Sequence, residues 1–268
     1  MLNALKLKAD GFVEISENSD ITTDLKFDAP GNKFKNFLSL IPSAYTKDFK
    51  DVKASGDLAF NGFVKGIYNA DKNKMPAFKL NLDVKNGDFK YPTLPLGVNN
   101  IFAKATINSP SSNFDKMTVN VPAFKMKLGN NPFEASFVLK TPISDPDVDT
   151  KMNGTIDLAE LVKAFPMEGV KTLNGVITTN LTAKTKMSYI DRQDYENVDM
   201  KGDMRIQQMN YKADGIPSIN IKDMDMAFTP KNVKVDDFDA KLGKSDIKAQ
   251  GTVAVSYTHL TLPTNREV

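Results

Sequence analysis

Asp145-Pro146-Asp147-Val148-Asp149 is the stretch whose spacing comes nearest to a binding chemistry. Alternate aspartates can offer oxygens to calcium, as in the first half of an EF-hand loop. The second half is missing, because Thr150 stands where that loop needs glycine and Ile156 where it needs a bidentate glutamate. The stretch therefore reads as a solvated entry to a strand, with Pro146 blunting a sheet edge. Asp236-Asp237, beside Lys234 and Lys241, reads as ordinary polar face. Other chemistries lack parts. There is no cysteine, which excludes disulfides and thiolate metal sites. The one histidine, His259, lies near the end of the chain, so nucleophilic triads have no base elsewhere. No G-x-S-x-G elbow, S-x-x-K box, phosphate loop or dinucleotide glycine fingerprint occurs. No catalytic, cofactor-binding or metal-ligating residue is nominated, and the chain reads as a non-enzyme.

The elements around these residues carry more information. Lys plus Arg is 35 against 33 for Asp plus Glu, too balanced to attract nucleic acid or an anionic surface at long range. The lysines are spread singly among apolar residues, without a patch of stacking aromatics, so no nucleic-acid partner is expected. Hydrophobic residues at 41% and charged residues at 25% fit a folded chain. No run of 18 apolar residues occurs, and the start, with its early lysines and Asp10, is not a signal peptide. Met1 is read as lying inside a longer protein.

Self-similarity sets the architecture. Val119, Val121, Phe124, Lys127-Leu128-Gly129, Ala135 and Leu139 recur 114 positions later as Val233, Val235, Phe238, Lys241-Leu242-Gly243, Ala249 and Val253. Each copy predicts two alternating strands joined by a polar turn, Gly129-Asn130-Asn131 and Gly243-Lys244-Ser245. Phe34, Phe37, Leu38 and Ile41 predict a short helix stopped by Pro42. Leu158, Leu161, Val162 and Phe165 repeat that spacing before Pro166, with Asp157 and Glu160 placed for a capping box. Gly-led strands are expected after each helix, beyond Gly56 and Gly175. The chain thus reads as the end of one unit (1–43), one full unit (44–166) and most of the next (167–254), forming one continuous sheet. Residues 255–268, VSYTHLTLPTNREV, abandon the pattern and resemble the translation of a transposase-type sequencing adapter. They read as a non-native tail, and they contain His259.

The predicted fold is mainly β: tandem repeats in a long, curled antiparallel sheet with two short α-helices. Such a sheet has an apolar face with few helices to cover it. Candidate residues for an apolar groove are Leu80, Leu82 and Val84, then Met117, Val119, Val121 and Met126. Ile177, Leu181, Met204, Ile206, Met224, Met226, Val233 and Val235 complete the set. Methionines, including Met187 and Met200, recur in the alternating register, and methionine suits surfaces that accept variable apolar partners. The first reading is a lipid conduit in which acyl chains lie along this face. The alternative is a structural or adhesive β-sandwich whose second sheet fills it. A transmembrane barrel needs strands of about ten residues and aromatic girdles. Strands read as five to eight residues and the absence of tryptophan count against it.

Several segments together resemble the AsmA-like family in the form found in Bacteroidetes-type bacteria. They are Gly87-Asp88-Phe89-Lys90-Tyr91-Pro92, Lys127-Leu128-Gly129, Gly154-Thr155-Ile156-Asp157-Leu158 after Asp145-Pro146-Asp147, and the run from Phe238 to Ile247 followed by Gly251-Thr252-Val253. The resemblance implies a large envelope protein of Gram-negative cells, held in the inner membrane by an N-terminal helix. Its periplasmic body would be a curled β-sheet with a hydrophobic groove. Relatives are linked to outer-membrane biogenesis and to movement of phospholipid between the two membranes, without catalytic residues or cofactors. Phospholipid or another acyl-chain lipid is the implied partner. The membrane anchor and C-terminal region of the family pattern have no counterpart in this sequence.

Overall fold

Lysines and aspartates alternating with apolar residues dictate two-faced strands, and the computed structural model is built from them. It describes residues 5–17, 19–33, 53–91, 94–165, 167 and 169–254. The first strands are β1 (Lys8–Ile15), β2 (Ile21–Lys33), β3 (Lys53–Tyr68), β4 (Ala77–Lys90) and β5 (Val98–Ser109). Next come β6 (Thr118–Leu128), β7 (Asn131–Lys140) and β8 (Asp147–Asp157), followed by helix α1 (Leu158–Ala164). The chain continues through β9 (Val170–Lys186), helix α2 (Met187–Asp191), β10 (Asp199–Ala213), β11 (Ile219–Phe228), β12 (Asn232–Leu242) and β13 (Ser245–Ala254). All thirteen pair antiparallel with their sequence neighbours in one open sheet, in the order β1 to β13. All strands among the described residues belong to this one sheet.

The predicted hairpin repeat is present in detail. Val119 pairs with Leu139 and Phe124 with Ala135, while Val233 pairs with Val253 and Phe238 with Ala249. Both hairpins slip register at the same place, between Val121 and Phe124 and between Val235 and Phe238. Both turn on a glycine of matching conformation, Gly129 at φ 57° and Gly243 at φ 58°, a positive φ that suits glycine in a two-residue loop. Register shifts recur in most other strand pairs, for example between Val84 and Gly87 and between Gln207 and Asn210. Each such bulge bends its strand and adds twist, which curls the sheet.

Register itself is pinned on the polar face. Lys65 lies opposite Asp24, Lys33 opposite Asp57 and Lys125 opposite Glu134, each as an ion pair of 2.7–2.8 Å. Such exposed pairs contribute only tenths of a kcal/mol, but a one-residue slip would turn every lysine onto the apolar face.

Several expectations need correction. The strands run from 8 to 17 residues, longer than the five to eight read from the sequence. That length argument against a barrel therefore fails, and what stands is that β1 and β13 are not paired with each other. Gly56 and Gly175 lie inside β3 and β9 rather than ahead of them. Pro146 blunts no edge, since β8 is paired on both sides and the Pro146 carbonyl accepts from the Met187 N–H. Met187 opens α2, a helix the sequence reading missed, instead of continuing a strand. The predicted helix at Phe34–Ile41, its stop at Pro42, Pro166 and the 255–268 tail lie outside the described residues.

Candidate functional site

Directly paired residues of an antiparallel sheet point to the same side, so the register shows which candidates share a face. On β4, Val84, Leu82 and Leu80 face Leu58, Phe60 and Gly62 of β3 and Ala103, Ala105 and Ile107 of β5. Ile107 faces Val119, and Val119, Val121 and Met126 face Leu139, Phe137 and Phe133 of β7. Across β8 the same side carries Met152, opposite Leu181, and Ile156, opposite Ile177. Ile177 faces Ile206, Ile206 faces Met224, Met204 faces Met226, and Met226 faces Val235. Phe228 faces Val233. One apolar wall therefore runs across the whole sheet and holds every candidate except Met117. That residue precedes β6, as the end of a 3-10 turn whose Phe114 carbonyl accepts its N–H.

No position paired into this wall is Asp, Glu, Lys or Arg. Its polar residues are largely neutralised from within the sheet. The Thr23, Thr150 and Thr179 hydroxyls donate to the carbonyls of Gly66, Ser136 and Asp203. Burial is one-sided along β9, where Thr179, Leu181 and Ala183 are each 7% exposed while Thr178, Asn180 and Thr182 are more open. The wall is thus the inner side of the curl. Toward the sheet edges it opens, with Val13, Ile15 and Val253 more than half exposed.

Two plugs close parts of this wall. Near the start, the Asn32 side chain accepts from the Lys6 N–H at 2.6 Å and donates to the Lys6 carbonyl at 3.0 Å. That holds Leu5, fully buried, against Ala29, Leu58, Phe60 and Val84. At the centre, Leu161 and Ala164 of α1 and Phe165 just after it pack with Val98, Met126, Leu128 and Ile156. Asp157 caps the helix by accepting from the Ala159 and Glu160 N–H groups, at 2.9 and 3.1 Å. The capping box is only half made, because the Glu160 carboxylate accepts from Asn131 in the β6–β7 turn.

The opposite rim carries three of the lowered carboxylates. Asp115 accepts from the Ser144 N–H and hydroxyl, and Asp145 accepts the same pair from Ser188. Those bonds hold both carboxyls below the usual aspartate range. Asp20 is lowered likewise, first by the Asn69 side chain and then by Lys72. Asp145 is therefore a clasp between loops. Asp147 and Asp149 of the same run lie on the polar side opposite Lys186 and Lys184, and no cluster of three metal-binding side chains occurs among the described residues.

Wall residues missing from the candidate set include Phe133, Phe137, Met152, Met209 and Ile221. The alternation of Phe133, Ala135, Phe137 and Leu139 carried that signal. No helix among the described residues is long and apolar enough to cross a membrane. No protein-family model, no curated protein and no solved structure matches the chain.

Proposed function

We propose that this chain is a lipid-binding stretch of a non-enzymatic envelope protein of the AsmA-like kind, located in the periplasm and anchored in the inner membrane through regions outside this sequence. In this reading acyl chains lie along the inner wall while headgroups stay toward its open side, and the protein serves lipid transport between membranes and outer-membrane biogenesis. The observation that supports it is the uncharged apolar wall across thirteen strands, without a second sheet over it among the described residues. Binding would draw on apolar burial, at roughly 25 cal/mol per Å². The methionines at 204, 224 and 226 would let the wall adapt to chains of different shape.

The test places charge on the wall. Met204→Asp and Met226→Asp, singly and together, put a carboxylate at directly opposed wall positions on β10 and β11. Ala227→Lys is the control, since Ala227 lies on the polar side opposite Asp203. Lipid co-purifying with the exported protein is quantified by mass spectrometry, with circular dichroism to confirm folding. The wall variants are expected to lose acyl-chain lipid and the control to keep it. Unchanged lipid in folded wall variants would overturn the reading.

A further inference from the structure

The wall changes its chemistry partway across the sheet. From β2 to β7 its large side chains are mostly aromatic, with Phe27, Phe60, Phe124, Phe133 and Phe137 at paired positions. From β8 to β11 methionine largely replaces them, as Met152, Met200, Met204, Met209, Met224 and Met226. Met204 lies directly opposite Met226, and Met224, two residues before Met226, lies opposite Ile206. All but Met224, which is 9% exposed, are half-buried. β7 and β12 flank this track, so it lies inside the sheet and away from both edges.

Two methionines elsewhere serve as comparisons. Met126 shares the wall but packs into the cluster of Val98, Leu128 and Ala164. Met187 is 49% exposed at the start of α2. The chain has no cysteine, so its thioethers are what a two-electron oxidant meets first.

We infer that the methionine track from β8 to β11 is a reversible oxidation site for hydrogen peroxide, and that its oxidation withdraws this part of the wall from hydrocarbon. The thioether sulfur attacks one peroxide oxygen, the S–O bond forms and the O–O bond breaks. Sulfur loses two electrons to become the sulfoxide. The other oxygen takes the proton from the transferred one and leaves as water. Each event turns a flexible apolar side chain into a polar one, which holds water on the wall where an acyl chain would lie. The aromatic stretch has no such chemistry, and its Met126 is packed away. This regulation rests on the lipid-binding reading above.

The full chain is treated with hydrogen peroxide, sulfoxides are mapped by peptide mass spectrometry, and binding is read with a dansyl-labelled undecanoic acid. The half-buried track is expected to oxidise soon after Met187, Met224 later and Met126 last, with circular dichroism unchanged. Loss of about 60 Å² of apolar contact weakens an apolar probe about tenfold, and the oxidised chain is expected to lose at least that. Reductases for the two sulfoxide epimers are expected to restore binding. Met→Leu at all six positions keeps volume and is expected to leave binding indifferent to peroxide. The milder Met204→Leu, Met226→Leu pair is expected to lose less affinity than the native chain. The inference is overturned if the track stays reduced once Met187 is fully oxidised, or if the oxidised chain binds the probe as before. Unfolding on oxidation, or equal loss of affinity in the Met→Leu variants, would overturn it as well. Absence of probe binding before oxidation would refute the lipid-binding reading instead, and the sulfoxide map would then decide the site.

Discussion

Replacing Gly202 with alanine tests how closely the strands of the wall are held. Gly202 lies on the wall between Leu181 and Phe228, at φ 119°. A Cβ built there would stand 1.8 Å from the Asn180 carbonyl oxygen and 3.1 Å from the Leu181 Cα. The substitution carries two costs. A backbone conformation foreign to an L-residue costs about 1–3 kcal/mol, and forcing β10 away from β9 adds about 1–3 kcal/mol of overpacking. Gly215 isolates the first cost, because it sits at φ 75° with nothing within 4 Å of its missing Cβ. Gly215→Ala is expected to cost about 1–2 kcal/mol, and Gly202→Ala about 4 kcal/mol. Against a total stability of about 5–15 kcal/mol the difference is easily measured. Urea unfolding followed by circular dichroism gives both values. If Gly202→Ala lies within about 1 kcal/mol of Gly215→Ala, the overpacking cost is wrong, and the strands have more room than their pairing implies.

Two further substitution experiments bear on the parts that hold the wall in place. Asn32→Ala removes both hydrogen bonds to Lys6 and is expected to cost about 2 kcal/mol, with faster exchange of the Lys6 amide; unaltered exchange would show that Leu5 holds that segment alone. The lowered carboxyls of Asp20, Asp115 and Asp145 make the loop clasps acid-sensitive. Their contribution is fully present above about pH 4, the unfolded aspartate value, and is lost as pH falls through the lower folded values. Melting temperature measured from pH 5 downward should fall more steeply for the native chain than for an Asp115→Asn, Asp145→Asn double variant, and equal slopes would count against the clasps.

Side-chain alternation alone made much of this architecture legible. The paired hairpins, the helix beginning at Leu158 and nearly the whole candidate wall are local patterns, readable from spacing. Even the bulge was on view, since Val119, Val121, Phe124, Met126 and Leu128 change parity where Val233, Val235, Phe238, Ala240 and Leu242 do. The features that stayed hidden depend on distant partners. α2 follows Lys186 without a side-chain cap of its own, and its first turn is held by Asp145, 43 residues away, through Ser188. The Glu160 side chain had a local destination in the capping box, but Asn131 of the β6–β7 turn took it instead. Strand lengths were underestimated because bulges and interior glycines such as Gly56 look like strand ends when read one residue at a time. Which wall positions are plugged, as at Leu5 and Leu128, depends on chain returning from elsewhere.

The order of the strands keeps the contacts of this sheet local. Each strand pairs only with its sequence neighbours, and the helices touch a few strands near their own position. In a globular domain the buried fraction rises with chain length, because surface grows more slowly than volume. In this arrangement a further unit adds wall and outer face in the same proportion, as in other one-dimensional repeats. Thirteen strands already extend about 58 Å along the run of twelve inter-strand spacings at about 4.8 Å each. That is nearly twice the hydrocarbon thickness of a bilayer, about 30 Å. No charge stands at the paired inner positions over this length, while charges are frequent on the outer side. Stability alone gives no reason for that restriction at the half-open ends, where a snorkelling lysine would cost little. The lipid-binding function proposed above would give one, because a single charge anywhere along the wall would interrupt the path of a hydrocarbon guest.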